Sequence, residues 1–269
     1  MHETRPAAVA GAFYPGDASA LATEVARCLG EVPPAADARF PPKAIIAPHA
    51  GYPYSGPVAA SAYARVAPLR GTVTRVVLAG PAHRVYVRGA AVPGTGAFET
   101  PLGPIRLDEE ALAVLRRLPF VETSDRAHAQ EHALEVHLPF LQAVLGEFTL
   151  VPLVVGDATL DEMATLLDAV WGGDETLVVV SSDLSHFLPY AAARERDRRT
   201  AEAILALSPR LDGEDACGAA PVNGLLQAAR RRAMAVELVD LRNSGDTAGG
   251  RSQVVGYGAF VFRERKAGS

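Results

Sequence analysis

A chain of 269 residues with 49% hydrophobic and 21% charged side chains has an ordinary globular composition and is long enough to bury a substantial core. Its net charge of −5, with no basic block beyond the exposed-looking stretch 194–199, excludes a phosphate-tracking surface, so no nucleic-acid partner is expected. Two cysteines far apart, Cys28 and Cys217, exclude a disulfide framework or a cysteine-only zinc site. Lone thiols fit a reducing cytoplasm, no apolar run reaches the roughly 20 residues of a membrane helix, and the N-terminus lacks the pattern of a signal peptide. A cytoplasmic protein without a membrane partner is the expectation.

Taken in chain order, the Ala/Leu-rich segment Ala18–Gly30 predicts a first helix. A surface connection, EVPPAADARFPP, leads from it to an apolar strand over Lys43–Ala47. A helix over Pro57–Val66 precedes strands over Val73–Ala79 and Arg88–Val92, and PGTGAFETPLGP reads as a long loop or hairpin over the sheet edge. Helices follow over Asp108–Leu118, with Asp108 as N-cap, and over Glu131–Leu145. The rest alternates: strand Phe148–Val155, helix Leu160–Val170, strand Thr176–Ser181, then helices Ala191–Ala206 and Ala216–Ala229. Strands Ala235–Leu241 and Gln253–Phe262 close the chain around the structured loop NSGDTAGGRS. Near-continuous Val/Ile/Leu runs are what strands covered on both faces carry. The pattern predicts an α/β fold, a single-domain layered sandwich over residues 1–269 with a central, mainly parallel sheet and the last two strands as an antiparallel addition.

Three strands run into polar loops that carry a histidine: IIAPHAGY gives His49, VVLAGPAHRVY gives His83, and LVVVSSDLSHF gives Asp183 and His186. In an open parallel sheet such loops gather along one edge, where ligands bind. A neutral imidazole nitrogen ligates transition metals, and the ring titrates near cellular pH. The spacing therefore predicts one convergent site, with Asp183 as the orienting partner of a histidine.

The segment HAQEHALEVHLPFLQ holds a second cluster. Neither H-E-x-x-H nor H-x-x-E-H is present, since Val136 stands where the second pattern needs histidine. An amphipathic helix is expected, with Leu134, Leu138, Leu141 and Leu145 toward the core and Glu135 in water, while Glu131 and His132 at its start reach a pocket. SSDLSH lacks a G-x-S-x-G elbow, so serine catalysis has no support. Cys217 opens a predicted helix, where the dipole lowers a thiol pKa unless the cysteine is a small buried one.

The motifs PHAGYPYSG, GPAHRVY, EHALEVHLPFLQ, SSDLSH and NSGDTAG…VVGYGAF, with the opening RPAAVAGAFYPG, together resemble the Memo family. The similarity is to its bacterial and archaeal branch, AmmeMemoRadiSam system protein B, and spans nearly the whole chain. This resemblance implies a fold related to class III extradiol dioxygenases, which hold a non-haem iron. It implies His49 and His83 as metal ligands and His186 as acid/base, held by Asp183. The dioxygenases place a glutamate at the third position and eukaryotic Memo proteins a cysteine; here the loop offers Ser244 and Asp246, so Asp246 or water completes the shell. Tyr52 and Tyr54 are expected to line the mouth. The implied cofactor is Fe(II), with copper or no metal as alternatives, and the implied activity is a metal-dependent redox reaction on an unknown small molecule. A non-catalytic peptide- or protein-binding module and a metal-assisted hydrolase are the rival readings. The branch name implies pathway partners of the AMMECR type and a radical-SAM enzyme.

Overall fold

The computed structural model describes residues 3–33 and 41–264. Most of the connection read over 31–42 therefore lies outside the described residues. The chain runs β1 (Thr4–Arg5), α1 (Ala18–Gly30), β2 (Ala44–Ala47), α2 (Tyr52–Val66), β3 (Arg75–Pro81), β4 (Ala90–Val92), β5 (Ala97–Thr100) and β6 (Gly103–Arg106). Next come α3 (Glu109–Leu115), β7 (Val121–Thr123), α4 (Asp125–Ala129), α5 (His132–Glu135), α6 (Leu138–Leu145), β8 (Thr149–Val155) and α7 (Leu160–Val170). The remainder is β9 (Thr176–Ser181), β10 (His186–Leu188), α8 (Tyr190–Leu205), α9 (Ala219–Arg231), β11 (Ala235–Asn243) and β12 (Val254–Arg263), with a 3-10 turn at Ser244–Asp246.

The large sheet has the order β10-β12-β2-β9-β3-β8-β4-β7, with β11 added on β12. Its centre, β2-β9-β3-β8, is parallel throughout. Around that centre the sheet is mixed: β12 runs antiparallel to β2, β10 and β11, and β4 antiparallel to β8. The parallel strands β2 and β9 are buried along their whole length, as continuous apolar runs require. Helices α1, α2 and α6 form one packed group and α3, α7 and α9 another. The segment 93–104 is a hairpin, as read, but it pairs with β1 in a separate three-stranded sheet. Among the described residues no helix is long and apolar enough to cross a membrane.

Helix α3 ends at Leu115, three residues short of its predicted end, and α9 starts at Ala219, three residues late; two larger departures arise from proline. Helix α2 starts at Tyr52, five residues before the expected start at Pro57. Pro53 sits in its first turn, where an amide hydrogen has no intrahelical acceptor to lose, so the apparent turn is a helix entry. The helix expected over 131–145 is two, α5 and α6, separated at Val136–His137, with Pro139 in the first turn of the second. Leu134, Leu138, Leu141 and Leu145 are buried as expected. Glu135 is not in water: it is 0% exposed and anchors the N-terminal segment. Its carboxylate takes the Arg5 guanidinium (2.5 Å), the amides of Ala8 (2.8 Å) and Val9 (2.9 Å), and the Tyr14 hydroxyl (2.5 Å).

Candidate metal centre

Strands β2 and β9 lie side by side with Ala47 opposite Ser181, so the loops that leave them start together. Asp183 turns back on the first loop, and its Oδ1 accepts the His49 amide at 2.8 Å. The Ser181 hydroxyl donates to the Ala133 carbonyl (2.6 Å) and lies 2.6 Å from His49 Nδ1. With its proton committed to the carbonyl, the hydroxyl accepts from Nδ1–H, and His49 is left with a bare lone pair on Nε2.

The neighbouring strand β3 delivers His83. Its Nδ1 is 2.9 Å from Glu131 Oε1 and its amide 2.6 Å from Oε2, so here too the carboxylate claims Nδ1–H and leaves Nε2 open. His132, the first residue of α5, has a buried Nδ1 with no hydrogen-bond partner among the described residues, 3.4 Å from Glu131 Oε1. Helix α5 can sit this close because Gly80 on β3 has no side chain. A Cβ there would stand 2.9 Å from Leu134 Cδ2, 3.1 Å from Ser181 Cβ and 3.3 Å from Ala133 Cβ.

The three imidazoles converge: one donor atom from each of His49, His83 and His132 lies within 4.8 Å of the others. The rings of His83 and His132 stack at 4.6 Å and 22°, and His49 meets both edge-on at 5.2 and 5.5 Å. Burial, then the other imidazoles, hold His49 well below its ordinary pKa, and burial lowers His132 to about 4. His49 and His132 are therefore neutral at pH 7, the form that binds a metal. Two oriented rings with a free nitrogen each, and a third with an orphaned nitrogen, fit a transition-metal ion.

The remaining predicted residues divide. His186 lies on β10, and burial lowers its pKa. The following residue, Phe187, has a left-handed backbone (φ 58°) at a register shift between His186 and Leu188. Asp183 serves His49 rather than His186: besides the amide bond, its Oδ2 is 4.0 Å from His49 Nε2, and burial raises its carboxyl to about 7. Cys217 stands before α9, with its sulfur 3.4 Å from His49 Nε2. Burial and the Asp183 charge push its thiol up to about 12, the reverse of a dipole-activated cysteine.

Asp246 does not reach the histidines. It is exposed, closes the Ser244–Asp246 turn by accepting the Asn243 amide (3.1 Å), and receives the Tyr190 hydroxyl (2.5 Å) at a separate cleft of about 440 Å³. One carboxylate oxygen is taken by the turn and the other by Tyr190, and the third residue that converges with His49 and His83 is His132. Ser244 is buried and accepts the Val255 amide (3.1 Å). Tyr52 does not line a mouth: it is buried and donates to the Val136 carbonyl (2.8 Å). Tyr54 is 42% exposed. Ser181 was weighed in sequence only within SSDLSH for serine catalysis; its contact with His49 was missed, and the only signal for it was its position as the last residue of a buried strand beside the one that ends before His49.

A mixed α/β sheet with a histidine cluster at the carboxyl edge of its parallel strands defines the class. The chain belongs to the Memo family, whose profile, described as Memo-like protein, matches residues 5–261. It is 37% identical to a MEMO1 family protein of Methanopyrus kandleri over 96% of this chain and 99% of that one. It is 35% identical to one of Aquifex aeolicus over 96% and 98%, respectively. A crystal structure of an uncharacterized protein from Escherichia coli K12 is a distant likeness, with a TM-score of 0.47 and 13% identity over 81% of this chain and 99% of that one.

Proposed function

We propose that this Memo-family chain is a metal-dependent enzyme of the dioxygenase-like, redox type, with Fe(II) held by His49, His83 and His132. The observation that carries the reading is the convergence of three imidazoles, each offering one ring nitrogen to the same small space. Nitrogen ligands of this kind suit iron, copper and zinc, so copper is the alternative cation. The metal, when bound, supplies Lewis acidity and a redox couple. The protein does the rest. Ser181 and Glu131 fix which nitrogens face the ion, and Asp183 pins the His49 loop. His186 is neutral at pH 7 and is the base that takes a substrate proton. The same imidazoles would also serve metal-assisted hydrolysis. A cytoplasmic role beside an AMMECR-type protein and a radical-SAM enzyme follows from the resemblance to system protein B.

One observation favours the rival reading of a peptide- or protein-binding module. Tyr54 in α2, Tyr86 after β3 and Phe187 on β10, exposed by 42, 77 and 67%, each follow His49, His83 or His186 closely in the chain. Exposed aromatics near a candidate site are typical of recognition surfaces.

Elemental analysis of protein purified without oxygen separates the two. The expected result is one equivalent of metal, lost in His49→Ala and His132→Ala, kept in Asp246→Ala, with oxygen uptake on substrate screening. Wild-type protein that takes up neither iron, copper nor cobalt, or a His132→Ala variant that binds as wild type, rejects the proposed centre.

A further inference from the structure

We infer that Glu131 is a positioning residue that sets two of the three imidazoles, His83 and His132, with one buried carboxylate; this rests on the metal reading above for its purpose but not for its geometry. Glu131 is 1% exposed and is the N-cap of α5, accepting the Ala133 amide at 2.9 Å. N-caps are ordinarily Ser, Thr, Asp or Asn, whose short side chains have one oxygen to spend on the helix. A glutamate in that place has reach left over, and the structure uses it on another loop. Oε2 takes the His83 amide, and Oε1 takes both the His83 ring nitrogen and the cap.

Three N–H donors thus meet two oxygens, and each ties down a different part of the site. The ring contact fixes the His83 tautomer and raises its basicity as a ligand. The amide contact fixes the His83 backbone. The cap fixes the helix whose first residue is His132. The near-parallel stack of the two rings at 4.6 Å and 22° is the outcome. The clamp is itself held from behind, because Arg5 Nη2 donates to the Glu131 carbonyl at 2.9 Å while its neighbour Nη1 is bound to Glu135.

A cap alone and a clamp predict different things for two variants. Glu131→Asp keeps a cap-competent carboxylate but shortens it by one methylene, so it releases His83. Glu131→Gln keeps the length but offers one carbonyl oxygen to three N–H donors. In metal-free protein, imidazole 15N NMR should show wild-type His83 protonated at Nδ1 and a tautomer mixture in both variants, with His132 shifted as well. Cobalt(II) titration should show affinity about 10–100-fold below wild type, with the Glu131→Asp thermal midpoint close to wild type. An unchanged His83 tautomer in both variants overturns the inference. Cobalt affinity within twofold of wild type in both overturns it also. If wild-type protein binds no metal, the centre proposed above fails alone, and the metal-free NMR still decides the role of Glu131.

Discussion

Removing the Glu135 carboxylate should be among the most destabilising single changes in this protein. The side chain is fully buried and serves four partners, one of them the guanidinium of Arg5, which is itself buried. Glu135→Ala leaves that guanidinium in a low-dielectric interior without its counter-charge, a change that costs about 3–5 kcal/mol. The stranded amides of Ala8 and Val9 and the Tyr14 hydroxyl add to it unless water enters the gap. For a chain of this size that corresponds to a fall of roughly 10 °C in thermal midpoint. Urea unfolding followed by circular dichroism gives the free energy directly. Arg5→Leu with Glu135→Leu removes both charges together and should recover much of the loss, since the penalty lies in the widowed charge more than in the absent pair. A Glu135→Ala midpoint within about 1 °C of wild type would refute the reasoning, because it would mean that Arg5 finds water or another acid at no expense.

Three further outcomes follow from the geometry. Ser181→Ala deletes the acceptor that fixes the His49 tautomer, so metal affinity in a cobalt titration should fall about 10–100-fold; an unchanged affinity would show that the ring orients itself. Gly80→Val forces α5 away from β3, costing about 1–3 kcal/mol of stability in urea unfolding and weakening metal binding with it; a fully stable variant would show that the helix has room. Burial depresses His128 to about 4 and His137 to about 3 in the folded protein, against about 6.5 unfolded. Their stabilising contribution is therefore complete above about pH 6.5 and is lost as pH falls toward those folded values. Asp183 and Asp197, raised to about 7 and about 6 by burial, act in the opposite sense and soften the acid limb. Comparison with His137→Gln isolates one imidazole: between pH 6 and 4 the variant's stability should fall less steeply by about 1.4 kcal/mol per pH unit, and parallel curves would reject the assignment.

The parallel centre of the sheet was legible because buried strands write themselves as unbroken Val/Ile/Leu runs, as in Thr176–Ser181. The short strands β7 and β10 were not, since three partly exposed residues hold too little pattern to register. Prolines misled at both ends of the scale, hiding the start of α2 and the break before α6. At the site, His49 and His83 were visible from their place after strands. Glu131 and His132 were read as reaching a pocket from a helix start, but the approach of one to the other was not, because the side chain of an N-cap folds over the helix end where periodicity says nothing. Asp246 does not join the histidines because the turn amide of Asn243 and the hydroxyl of the distant Tyr190 take its two oxygens, and sequence spacing shows only the first of these.

Strand β2, only four residues long, sits between β9 and β12, so the seat of His49 is assembled from the first fifth, the last third and the very end of the described chain. A ribosome releases Ala44–Ala47 long before either neighbour exists. Until Val254–Arg263 has emerged, that apolar segment waits with an open flank, and ring closure over so great a separation is slow. The seat of His49 is thus completed only once β12 has been made. A prematurely terminated product would keep every histidine in the cluster yet present a bare sheet margin to other chains, a hazard for aggregation.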